Sequence, residues 1–141
     1  MKAKNILAVV LGLIASFIII LLLEGVGHVI YPPPTDLDME DIDAIKAFTA
    51  SAPNIVFILA IVAYAIGSII GGLVSAVIAI NNKMSQAITV GGILMGLGAY
   101  NLFMIPHPIW TIIISIFVFI PCSYLGGWWG IKVSTKKKPQ A

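Results

Sequence analysis

The sequence predicts an all-α polytopic membrane protein, an antiparallel bundle of four transmembrane helices with a short amphipathic helix in its first outer loop. Three observations carry that expectation. Of 141 residues, 60% are hydrophobic and only 10% charged, against about 25% charged in a soluble chain. The apolar residues gather into four runs, each close to the about 20 residues that cross a bilayer core. Lysines stand before the first run, in the second connection and after the fourth run, whereas the loop acids gather in the first connection.

The first run extends over about 6–30. Lys2 and Lys4 precede an uncharged stretch of 18 residues from Ile6 to Leu23. That is longer than the usual apolar core of a signal peptide, and no small-x-small cleavage pattern follows it. The run reads as a retained spanning helix. It closes on Glu24 and His28 and is stopped by Pro32, Pro33 and Pro34. The other runs are about 55–80, 87–105 and 109–131. Backbone groups in lipid must be satisfied within their own segment, so the runs read as helices. The alternating segments of about 10 residues that build a membrane barrel are not visible.

The acidic connection 31–53 holds Asp36, Asp38, Glu40, Asp41 and Asp43 against one lysine, Lys46. Met39, Ile42, Ile45 and Phe48 recur there at near-helical spacing, which predicts a short amphipathic helix over the bundle mouth. Asp38 is the expected N-cap, with Asp41 three residues on as a capping-box variant. The helix should end before Pro53, which would start the second span. Lys83 lies in the turn 81–85, and Lys132 and Lys136 to Lys138 follow the fourth run. With four spans these lysines share one side with Lys2 and Lys4. The positive-inside rule makes that side the cytoplasm, in a bacterial inner membrane with both termini inside. Trp110 and Trp128-Trp129 read as interfacial anchors of the fourth run, and Pro121 as a kink within it.

Small residues recur every four positions. Ala8, Gly12 and Ser16 form such a stripe in the first run. The second run carries two, one through Ala63, Gly67, Gly71, Ser75 and Ala79, the other through Ala60, Ser68, Gly72 and Ala76. Gly92 and Gly96, with Gly91 and Gly98 nearby, serve the third. Stripes of this kind let helices approach closely in lipid. Two on the second run predict a central helix with a neighbour on either side, or one stripe turned towards another copy of the protein.

Glu24 is the only acidic residue within an apolar run, and an ionisable group at that depth is a site hypothesis by default. The first stripe continues by steps of four through Ile20, Glu24 and His28, so carboxylate and imidazole extend a packing face. Tyr31 follows them. Tyr100, Asn101 and His107 should reach a similar height. Three readings follow. Glu24 and His28 can bond one another or Asn101 and pin the acidic loop, as in a structural or accessory subunit working as a homo-oligomer or beside a larger membrane complex. This reading is preferred, because buried polar groups usually satisfy one another. Glu24 with His28 can instead serve a proton-coupled transporter of a small solute. Glu24, His28 and His107 can also ligate zinc or iron in a membrane enzyme at the outer face.

Other patterns fail on their own spacing. The acidic run 36–43 lacks the glycine and terminal glutamate of a calcium loop. The single cysteine, Cys122, allows no internal disulfide. There is no arginine and no basic face of the kind nucleic acid requires. The sequence leaves the cofactor open, and the partners it suggests are the lipid bilayer and a second copy or a larger membrane complex.

The combination Glu24-x-x-x-His28-x-x-Tyr31-Pro32-x-Pro34, the glycine-rich second run, and Asn101 with Ile105-Pro106-His107-Pro108 resembles a group of small bacterial four-helix membrane proteins. That resemblance implies the four-span topology and no particular activity. Ala63-Tyr64-Ala65-Ile66-Gly67-Ser68 is similar to an element of the small multidrug transporters, which also carry a glutamate in their first helix. Here the element stands in the second run instead of the third, and Glu24 near a helix end instead of its middle.

Overall fold

The computed structural model describes residues 2–105 and 107–136. Pro106 of the expected outer turn, and Lys137 and Lys138 of the lysine cluster, lie outside the described residues. Five helices follow one another: α1 (Lys2–Ile30), α2 (Ile42–Ala50), α3 (Asn54–Ile78), α4 (Lys83–Met104) and α5 (Ile109–Lys136). All but α2 are long and apolar enough to cross a membrane, and no strand occurs among the described residues. The protein is thus a small all-α, four-span membrane bundle.

The apolar runs underestimate three helices, α1 beginning already at Lys2. α4 begins at Lys83 and α5 continues to Lys136, because lysines and serines are good enough helix residues once the helix leaves the lipid. In α5 the Lys132 ammonium lies 3.4 Å from the centroid of the Trp128 ring. α5 passes through Pro121 as one helix. α3 stops at Ile78, where Ala79 turns extended. The following turn places Asn82 in the left-handed region at φ 49°, a conformation asparagine tolerates better than most residues.

Around the bundle the order is α1, α3, α5, α4. The α3–α5 and α1–α3 pairs are packed most extensively, α4 lies against α5 and across the short diagonal against α3, and α1 meets α4 least. The glycines explain why α3 is central. A methyl group on Gly67 would strike Ile20 and the Ser16 carbonyl, and one on Gly71 would strike Ser16 and the Gly12 carbonyl, all in α1. On its other side a methyl on Gly72 would strike the Ser123 backbone of α5. α5 answers with Gly126, where a methyl would strike the Ile69 carbonyl, and Gly130, where one would sit 2.6 Å from the Leu73 carbonyl. Gly12 completes the set: a methyl there would sit 2.7 Å from the Gly71 carbonyl and 3.0 Å from Val90 of α4.

Polar contacts tie one end of the bundle together. Asn5 of α1 donates to the Asn81 carbonyl and accepts from the Ile80 amide, both at 3.2 Å. Lys83 Nζ donates to the Ala76 carbonyl at 3.2 Å and to Ser134 Oγ at 3.0 Å. The start of α1, the α3–α4 turn and the end of α5 therefore meet at this lysine end. The α1–α3 and α4–α5 connections lie at the opposite, loop end.

Two elements depart from the sequence expectation. α2 starts three residues later than an Asp38 cap requires. Its N-cap is Asp41, whose carboxylate accepts from the Asp43 and Ala44 amides at 2.9 and 3.2 Å. Asp38 closes a local turn instead, accepting from the Glu40 amide at 2.9 Å. In α4, Gly92 and Gly96 have no neighbour within 4 Å of where a methyl would sit. Gly91 and Gly98 make the close approach to α5: methyls there would sit 3.0 Å from the Phe119 carbonyl and 2.7 Å from its ring respectively.

A candidate binding cavity at the loop end

The α1 stripe changes character as it climbs. Ala8, Gly12, Ser16 and Ile20 are buried, Glu24 is half-buried, and His28 is exposed. Their spacing stays constant, so it is the surroundings that open. From the level of Phe17 upward the helices border an open cleft of about 430 Å³, within the size range of small-ligand sites.

Its floor is apolar and aromatic. Phe119 of α5 is 2% exposed and lies under the Tyr64 ring, with centroids 5.3 Å apart. Ile20, Leu94 and Phe17 continue that floor. Glu24 stands above it from α1. Tyr64 faces it from α3 in the same cavity wall, near enough to interact with the carboxylate, and His28 and His107 lie within electrostatic range. A polar neighbour is what a carboxylate removed from water requires. Higher still, His28, Asn101, His107 and Tyr31 line the mouth. His107 is held locally: its Nδ1 lies 2.7 Å from the Ile105 carbonyl and its ring meets Phe57 edge-on at 5.7 Å.

α2 roofs the cavity. Phe48 and Thr49 line it, as does Ala52 just beyond the helix. The roof hangs on one residue at the end of α1. The Tyr31 ring stacks on Phe48 at 4.8 Å and 15°, and its hydroxyl lies 2.9 Å from Ser51 Oγ. No residue of α2 is buried, and its backbone packs against no other helix.

The cavity wall thus brings together Glu24, His28, Tyr31, Asn101 and His107. Tyr100 is not among them, being 67% exposed on the outer surface of α4. Among the described residues no three of histidine, cysteine, aspartate or glutamate stand close enough to hold a metal ion. Glu24, His28 and His107 therefore share the cavity without forming a ligand set. Sequence reasoning missed Tyr64 as a partner of Glu24. It is the one tyrosine inside α3, and its signals were that position and its place in the transporter-like element 63–68. No protein-family model, curated protein or solved structure matches the chain.

Proposed function

We propose that the protein is a small carrier of the bacterial inner membrane, binding a small solute in the loop-end cavity and exchanging it against a proton at Glu24. One observation carries this reading: a cavity of about 430 Å³ reaches a membrane-embedded carboxylate from the loop end, while glycine contacts close the lysine end of the same bundle. A carboxylate placed only to pin the loop would have no use for that space. Lys4, Lys83, Lys132 and Lys136 at one end support a cytoplasmic lysine end, with both termini inside.

A thiol at the cavity wall tests the reading. In a Cys122→Ser background, Ala60→Cys is reconstituted into vesicles and exposed to a membrane-impermeant maleimide from either side. A carrier is labelled from the loop side under one proton gradient and from the lysine side when the gradient is reversed. Labelling from the loop side alone under every gradient would sink the carrier reading.

That outcome would leave the accessory-subunit reading, which a separate observation favours. Gly92 and Gly96 leave a small-residue groove open on α4, of the kind that seats a second helix. A second copy or a larger membrane complex fits there. Disulfide cross-linking of Gly96→Cys between copies in native membranes checks it.

A further inference from the structure

We infer that the occupant of the cavity is a single-chain amphiphile with a protonated amine head, which enters sideways from the lipid between α1 and α4. This deepens the proposed function and rests on the cavity being a binding site. From Phe17 to His28 the cleft follows α1 for eleven residues, about 16 Å at 1.5 Å per residue. That is about half of a bilayer core of ~30 Å, so the cleft reaches from the loop-side surface to mid-membrane.

Its polarity is graded along that depth. His28, Asn101 and His107 stand at the mouth, Glu24 and Tyr64 in the middle, and Phe17, Ile20, Leu94 and Phe119 at the bottom. The gradient is that of the surrounding leaflet, head outward and chain inward. A molecule dissolved in that leaflet needs no reorientation to enter.

The openings decide the route. The top is covered by α2 through Phe48, Thr49 and Ala52. The side is not covered. α1 and α4 approach at Gly12 and Val90, 3.0 Å apart by the measure of an added methyl, in the half nearer the lysine end. Above that point the cleft separates them. Its rims are Leu21 and Leu97, both lining the cavity yet 67% and 49% exposed. Apolar side chains that belong at once to a cavity wall and to the outer surface of a spanning bundle mark a gap open to lipid.

The head group follows from charge. Glu24 is the only formally charged side chain among the residues of the wall with its imidazoles neutral, and it sits among aromatic rings. A carboxylate so placed is complemented by a cation that donates hydrogen bonds to it, and ring faces favour the same charge.

The test uses the full chain in lipid nanodiscs with three probes bearing the same diazirine: dodecylamine, its N-acetyl derivative and butylamine. Cross-links are mapped by mass spectrometry. The expected result is saturable labelling of 17–24 and 94–101 by the dodecylamine probe, at least tenfold weaker with the acetylated one and in Glu24→Gln. Leu97→Trp, at a lipid-facing rim where folding is not at stake, should slow labelling at least tenfold by narrowing the gap. Equal labelling by the acetylated probe overturns the amine head. Equal labelling by the butylamine probe, unchanged in Leu97→Trp, overturns entry from lipid and leaves a water-borne solute. Even labelling over all lipid-facing residues by every probe overturns the site itself. Nanodiscs with and without a single-chain (lyso) ethanolamine lipid separate the two sources of the head group: competition by that lipid makes a membrane lipid the occupant, and its absence makes it a free amine. Labelling confined to the cavity together with one-sided maleimide access would keep the site and remove the carrier.

Discussion

Glu24 meets two surroundings at once, an aromatic floor below and polar side chains above. Tyr64 shares its wall and is the side chain that influences the carboxylate most, so the two residues should be energetically coupled. In a double-mutant cycle of Tyr64→Phe with Glu24→Leu, followed by thermal unfolding in detergent, we expect a coupling of about 0.5–1.5 kcal/mol. Strict additivity would mean that hydroxyl and carboxylate do not meet. The glycines make a sharper contrast. Gly126→Ala drives a methyl into the Ile69 carbonyl and should destabilise by about 1–3 kcal/mol. Gly96→Ala meets open space and should be neutral or stabilising by up to about 1 kcal/mol from helix propensity. Similar melting shifts for the two would contradict the packing described above. Both glycines sit on steps of four in the sequence. Periodicity finds a close-packing face but cannot say whether a neighbour occupies it, and this is why Gly92 and Gly96 read like Gly91 and Gly98 until the helices are assembled.

At the scale of the element, α2 differs from the other helices. It has nine residues, none buried, too few to be stable alone. The Asp41 cap and the Tyr31 contacts hold it. Asp41→Ala should cost α2 about 1 kcal/mol. Amide exchange would then rise across 42–50 while the melting temperature of the bundle stays in place. Tyr31→Ala removes both the Phe48 stack and the Ser51 contact, and should expose 42–52 to protease from the loop side. If a change at either position lowers the bundle's own stability instead, α2 is part of the core and not a cover. The existence of α2 was legible from its apolar spacing and its end from Pro53. Its start was not, because Asp38 and Asp41 offer the same capping oxygen three residues apart, and only the fold of the intervening turn decides between them.

For the whole molecule, four spans and their alternation were legible because lipid imposes length and internal hydrogen bonding on every segment that crosses it. The central place of α3 was legible for a related reason: two small-residue stripes on one helix need two partners. The cavity was not. It is made where side chains fail to meet, at the α1–α4 seam above Val90, and no residue pattern within one helix records the distance to another. Its polar members were found by residue type alone, and Tyr64, whose ring belongs as much to the floor as to the site, was passed over.

The connections of this bundle differ greatly in length. Ala79 to Asn82 join α3 to α4 in a turn pinned by Asn5 and Lys83, whereas α1 is joined to α3 through the long acidic stretch that carries α2. During synthesis, then, α3 and α4 must enter the bilayer as a hairpin, while α1 enters alone and can dock afterwards along its groove on α3. Docking of α1 on α3 sets the α1–α4 seam, so the compartment beside Glu24 depends on that contact. Severing the chain at Asp36 should therefore be tolerated. Fragments 1–36 and 37–141, made separately in one cell, should co-purify through Gly12, Gly67 and Gly71. A Gly71→Leu change in the larger fragment should abolish recovery of the smaller one.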